Sequence, residues 1–315
     1  MTQRCRNVAM WMPTLWMLGA FAACSDDAAA SADAGAQLLD SSASEDEVQT
    51  DCPEATLCGT HDVVVDVEWL WNHLDDPDLQ LIDTRGRTDF EMARIPNALA
   101  LIETELRTTV DGVGGQVVDM ETAESVFQQA GLLRDSAIVV YGQNTSTTPA
   151  RVVWTLEYFG HRRVALLDGG FVAWEEAGGV IESGEWIAPT STYEIDVVDA
   201  ERRVDVKFLL PLLETDGVSL IDARTESEFK SGHIPGALSV NWTRNVSGGL
   251  LLRDQVLAKL YPSTSTAKTM VAYCQTGSRA SVAYLVLRHL GFPDVRLYDG
   301  SWAEWGSRED LPREP

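Results

Sequence analysis

The sequence predicts an α/β fold made twice over, each copy a mostly parallel sheet with helices on both faces. Three observations predict it. Short apolar runs alternate with amphipathic stretches. A set of motifs recurs in the same order in the two halves. The length, 315 residues, suits two domains that each bury a core.

The elements follow from the residues in order. Asp66 is a good N-cap for a first short helix, and Asp205 is its counterpart. Asp66-Val67-Glu68-Trp69-Leu70 returns as Asp205-Val206-Lys207-Phe208-Leu209. Pro211 is expected to end the second version of this helix early. Leu81-Ile82-Asp83-Thr84-Arg85 returns as Leu220-Ile221-Asp222-Ala223-Arg224, a buried strand that stops at an aspartate. Both motifs are displaced by 139 residues, from 66 to 205 and from 83 to 222. Arg94-Ile95-Pro96-Asn97-Ala98 answers His233-Ile234-Pro235-Gly236-Ala237. Ala137 to Tyr141 and Met270 to Tyr273 read as central strands. Arg151 to Phe159 and Ala280 to Leu290 read as helices, closed by Gly160 and Gly291. Val164 to Leu167 and Val295 to Tyr298 are further strands. Leu167-Asp168-Gly169-Gly170-Phe171 then answers Tyr298-Asp299-Gly300-Ser301-Trp302. Trp174, Trp302 and Trp305 read as core packing.

Before these copies lies a different kind of chain. Arg4 and Arg6 precede an apolar run that ends in Phe21-Ala22-Ala23-Cys24. Residues 1–24 read as a secretory signal. Its end resembles the lipobox of bacterial lipoproteins, with Phe21 where that family usually has leucine. The resemblance implies acylation of Cys24, export to the cell envelope, and contact with the membrane only through the lipid. Residues 25–51 carry eight carboxylates and no lysine or arginine. Such a stretch is a disordered acidic tether. A first domain is expected over 52–185, a linker over 186–200 and a second domain over 201–315. In an oxidising compartment Cys52 and Cys58 are expected to pair. No cysteine or histidine spacing suggests a metal site, so no metal is expected.

The formal charge is −24, which argues against nucleic acid and anionic membrane surfaces as partners. A bound anion therefore needs a local positive site. Tyr273-Cys274-Gln275-Thr276-Gly277-Ser278-Arg279 offers one. A cysteine stands where a strand ends and a helix begins, with glycine and arginine directly after it. Loop amides and the helix N-terminus both favour an anion there, and a thiolate is one. In the first copy Gly142 stands opposite Cys274, and Gln143 to Pro149 holds neither cysteine nor arginine. One domain thus has the frame without the nucleophile.

Four stretches together resemble the tandem rhodanese (thiosulfate sulfurtransferase) family. They are Leu220 to Arg224, Gly232 to Ala237, the Cys274 loop and Tyr298 to Trp302. The resemblance runs from about Asp62 to the C-terminus. It implies two rhodanese-like domains, the second of them catalytic, acting without a cofactor. Cys274 would carry sulfane sulfur as a persulfide, cradled by the loop amides of Gln275, Thr276, Gly277, Ser278 and Arg279. Arg279 would pair with a donor's sulfonate or carboxylate. Arg224 and Lys230 would add positive charge at the pocket rim. Asp222 and His233 would be supporting scaffold. The implied partners are a small anionic sulfur donor, thiosulfate in the leading reading, and a thiophilic acceptor such as cyanide or a thiol. A 3-mercaptopyruvate sulfurtransferase and a persulfide carrier without turnover are the alternatives. Phosphatases of similar fold have five residues between cysteine and arginine, whereas only Gln275 to Ser278 intervene here.

Overall fold

The structure is a computed structural model that describes residues 63–215, 217–261 and 269–315. The expected signal and tether, with Cys24, Cys52 and Cys58, lie outside the described residues.

The first domain opens with β1 (Val64–Val65) and α1 (Val67–His73), where Asp66 Oδ1 accepts from Trp69 N at 2.8 Å. Then follow β2 (Leu79–Asp83), α2 (Arg87–Met92) and β3 (Leu99–Ala100). A hairpin comes next, β4 (Arg107–Val110) and β5 (Val113–Val117). The domain closes with α3 (Met120–Ala130), β6 (Ala137–Tyr141), α4 (Thr147–Tyr158), β7 (Val164–Leu167) and α5 (Gly170–Glu176).

The second domain repeats this order. It runs through β8 (Arg203–Val204), α6 (Val206–Leu209), β9 (Val218–Asp222), α7 (Glu226–Lys230) and β10 (Leu238–Ser239). The matching hairpin is β11 (Val246–Ser247) and β12 (Leu250–Leu251). Then come α8 (Asp254–Leu260), β13 (Thr269–Tyr273), α9 (Ser278–His289), β14 (Val295–Tyr298) and α10 (Ser301–Trp305). Proline shortens α6 to four residues against seven in α1, and a 3-10 turn at Leu210–Leu212 takes over.

Both sheets are parallel and share one order, β1-β7-β6-β2-β3 and β8-β14-β13-β9-β10. The register also matches, pairing Asp83 with Tyr141 and Asp222 with Tyr273. Side chains alternate across each sheet, as strand geometry requires. Met270 and Ala272 of β13 join a core shared by the two domains, together with α4 and α9. Val271 and Tyr273 face the outer core of the second domain. Cys274 continues the first series, so it faces the inter-domain side.

The two halves are tied by charge as well as by apolar packing. Glu157 on α4 accepts from Tyr284 Oη at 2.7 Å and from Arg288 Nη1 at 2.9 Å, both on α9. The segment expected as a linker, 186–200, is anchored through Tyr193, which is buried against Phe127 and bonded to His161. Among the described residues no helix is long and apolar enough to cross a membrane. Among them, too, no group of three or more His, Cys, Asp and Glu is placed to hold a metal ion.

Candidate active site

Cys274 is the first residue after β13, and the backbone around it is fixed from one side. Its carbonyl accepts from Trp302 N at 3.0 Å, and that of Gln275 from Ala303 N at 2.9 Å. Both donors belong to the first turn of α10. In a trans peptide the C=O and the following N–H point in opposite directions. Pinning these carbonyls to α10 therefore turns the amides of Gln275 and Thr276 to the other side of the loop. Among the described residues the N–H groups of Gln275, Thr276, Gly277, Ser278 and Arg279 have no protein acceptor. The last two belong to the N-terminus of a 12-residue helix, which adds its dipole. These are the donors a bound anion needs.

Two residues hold the bend. Gly277 has φ of +86°, and a Cβ on it would meet Arg151 Nη1 at 2.6 Å and Asp299 Oδ1 at 3.1 Å. Ser301 also sits in the left-handed region, at φ +52°, where the first domain has Gly170 at +57°. A side chain there costs about 1 kcal/mol. The Ser301 hydroxyl offsets it by accepting from Cys274 N at 3.2 Å and donating to Tyr298 O at 2.8 Å. The nucleophile's own amide is thus taken up by the scaffold, and the five that follow are not.

The Cys274 side chain is only 1% exposed, so the thiol lies at the floor of the loop. Arg279 stands beside it. Its guanidinium is bound first of all by Glu228, through Nη1 to Oε2 at 2.7 Å and Nη2 to Oε1 at 2.8 Å. That bond and the neighbouring Cys274 both hold the Arg279 pKa above its ordinary value. Glu228 is pushed down to about 2, mainly by Arg279 and further by Thr225, the N-cap of α7, whose N–H and hydroxyl donate to it.

The structure relocates one of the expected cations. Arg224 is not at a rim. It is 1% exposed and paired with Asp222 at 2.7 Å, and it lies over the Trp302 ring at 4.5 Å. Arg85 and Asp83 make the same pair at 2.7 Å in the domain that lacks the nucleophile. A pair present in both copies belongs to the frame, and Asp222 serves there as the partner of Arg224. Lys230 is exposed on α7 and paired with Glu226. His233 is stacked on Phe229 at 3.7 Å and faces Glu314, consistent with scaffold.

The sequence reading missed the groups that approach from the first domain. Arg107 on β4 places Nη2 3.5 Å from Thr276 Oγ1, and Gly115 on β5 packs against Thr276. Glu103, buried next to them, has its pKa raised by desolvation against the opposing pull of Arg107 and Arg151. The β4–β5 hairpin that carries two of these groups turns at Asp111-Gly112, with φ of +52° and +82°. An Asp-Gly pair between two strand-like runs was the signal for it.

The comparisons with known proteins bear on the family and the fold. The family model for the rhodanese-like domain matches residues 66–177 and 205–308. A thiosulfate sulfurtransferase of Corynebacterium glutamicum is 33% identical over 275 residues, covering 80% of this chain and 90% of its own. A 3-mercaptopyruvate sulfurtransferase of Escherichia coli is 31% identical over 274 residues, covering 80% of this chain and 97% of its own. The crystal structure of SseA from Escherichia coli superposes with a TM-score of 0.69 at 28% identity, covering 76% of this chain and 98% of that one.

Proposed function

The chain belongs to the rhodanese family, and we propose that it is a sulfurtransferase that moves sulfane sulfur from thiosulfate to cyanide or a thiol through Cys274. The observation that carries this reading is the Cys274 loop itself, in which five consecutive N–H groups have no acceptor among the described residues. The Cys274 thiolate attacks the outer sulfur of thiosulfate. A new S–S bond forms, the S–S bond of thiosulfate breaks, and sulfite leaves with the electron pair. The resulting persulfide anion is stabilised by the loop amides from Gln275 to Arg279. Cyanide then attacks the outer sulfur, thiocyanate departs, and the thiolate returns. This is covalent catalysis by an activated nucleophile and draws on no cofactor.

In this reading Arg279 meets the donor's anionic group, with Lys230 as a more distant charge. Thiosulfate is the donor because a dianion suits a loop that ends in arginine. The Corynebacterium relative carries that name. The name of the Escherichia coli relative supports 3-mercaptopyruvate as the second reading. Residues 1–24 and the Cys24 motif support an exported, lipid-anchored protein facing the periplasm or exterior, with Cys52 and Cys58 paired.

Steady-state sulfite release from thiosulfate with excess cyanide tests the reading. Wild-type protein is expected to turn over and Cys274→Ser to be inactive; undiminished activity in that variant rules the mechanism out. The same assay with 3-mercaptopyruvate, read as pyruvate, assigns the donor. Intact mass after thiosulfate reports an added sulfur, the lipid and the disulfide together.

A further inference from the structure

We propose that the domain without a nucleophile supplies a positioning residue to the sulfur-transfer site. Arg151, on α4, holds the Gly277 bend and sets an incompletely neutralised positive charge beneath the Cys274 loop. The inference rests on Cys274 being the sulfur carrier.

Arg151 is 1% exposed, with its guanidinium carbon 4.3 Å from the centre of the Trp154 ring. Nη2 donates to Asp299 Oδ1 at 2.6 Å and to Gly115 O at 3.4 Å. Nε and Nη1 are buried and have no acceptor among the described residues. Nη1 fills the space that a side chain on Gly277 would need. The absence of a side chain at Gly277 is what lets the guanidinium reach the loop backbone.

The charge is only partly cancelled. Asp299 is shared with Arg203 Nε at 3.4 Å and with Val117 N at 2.8 Å. Two cations thus lean on one carboxylate. A buried N–H without a partner is costly, and two of them on one residue call for compensation. Electron density on the sulfur held by the loop supplies it, because attraction between opposite charges is strong where water is excluded. Arg279 is paired with Glu228, while Glu103, 3.6 Å from Arg107, also attracts Arg151, so that Arg107, Arg151 and Arg203 share two carboxylates, Glu103 and Asp299. The two domains also differ here. Arg151 is the fifth residue of α4, and the fifth residue of α9 is Val282. The buried cation lies beneath the loop that carries the cysteine, and the matching helical position in the second domain holds an apolar side chain.

The test compares wild type, Arg151→Gln and Arg151→Lys as full chains. Iodoacetamide alkylation of Cys274 is read on its own peptide by mass spectrometry, which separates it from Cys5, Cys24, Cys52 and Cys58. In Arg151→Gln the ratio of the rate at about pH 6 to that at about pH 9 is expected to fall about threefold, the size of a half-unit change in proton affinity. Arg151→Lys is expected to lose less than Arg151→Gln, because it keeps a charge but not the planar fork that stacks on Trp154 and reaches the loop. A lower melting temperature with an unchanged ratio overturns the proposal, and so does a lysine variant as impaired as the glutamine one. If Arg151→Gln does not fold, the wild-type ¹⁵Nε signal of Arg151, assigned by its loss in Arg151→Lys, decides. It is expected to move when Cys274 takes up sulfur, and a signal that stays in place overturns the proposal. Failure of wild-type protein to load sulfur at all is a separate result, against the function and not against Arg151.

Discussion

Arg279 and Glu228 face each other in a two-pronged ion pair, with donor–acceptor distances of 2.7 and 2.8 Å. The arginine nearest the nucleophile is therefore held by a carboxylate when no donor is bound, and an arriving anion has to compete for it. Glu228→Gln is expected to lower the KM for thiosulfate about threefold, on the scale of one partly exposed ion pair. Initial rates over a range of thiosulfate concentrations check this. An unchanged KM would show that Arg279 takes no part in donor binding.

Ser301 combines an unfavourable backbone conformation with a hydroxyl that bridges Cys274 N and Tyr298 O. Ser301→Ala keeps the strain and loses the bridge, and is expected to cost about 1–2 kcal/mol. Ser301→Gly relieves the strain and is expected to lose less stability. Both are expected to slow sulfur loading, because the Cys274 amide is no longer held. Urea unfolding and single-turnover sulfite release separate the two effects.

His161 is enclosed between Ser136 O and Tyr193 Oη, each 2.8 Å away. Burial pushes its pKa down to about 4. The unfolded chain takes a proton near the ordinary value of 6.5, and the folded chain resists until about 4. Stability is accordingly complete above about pH 6.5 and falls as pH drops towards about 4, by up to about 3 kcal/mol. Denaturant midpoints across that window, compared with His161→Gln, are expected to converge at the acidic end. Parallel curves would remove His161 as the cause.

The matched pairs Asp83–Arg85 and Asp222–Arg224 invite a paired experiment. Each arginine is buried, and removing either leaves its aspartate as an uncompensated buried charge. Arg85→Met and Arg224→Met are each expected to lose about 3–5 kcal/mol. At a temperature where both variants remain folded, neither is expected to change the KM for thiosulfate more than the other. A selective KM increase in Arg224→Met would restore that residue to the substrate site.

Much of the architecture was legible because alternation and repetition are local. Asp66 and Asp205 cap helices as their positions required, and Pro211 shortened α6. The loop geometry followed from strand, cysteine, glycine and helix in succession. What escaped was pairing at a distance. The Asp222–Arg224 pair was expected, but nothing in the sequence says that Arg224 lies in the core and not at the rim, or that Glu228 occupies Arg279. The role of Arg151 depends on Gly277 and Asp299, which are 126 and 148 positions away. The hairpins were missed although Asp111-Gly112 and Gly248-Gly249 mark their turns, because their strands are too short to show a period.

Each hairpin reaches across to the aspartate of the opposite copy. Val117 N donates to Asp299 Oδ2 at 2.8 Å, and Leu251 N donates to Asp168 Oδ1 at 2.9 Å. The half whose loop holds no cysteine is thereby kept in service as masonry, because the working half borrows its roof. Splitting the polypeptide between the copies would leave two shells, each missing the piece the other carries.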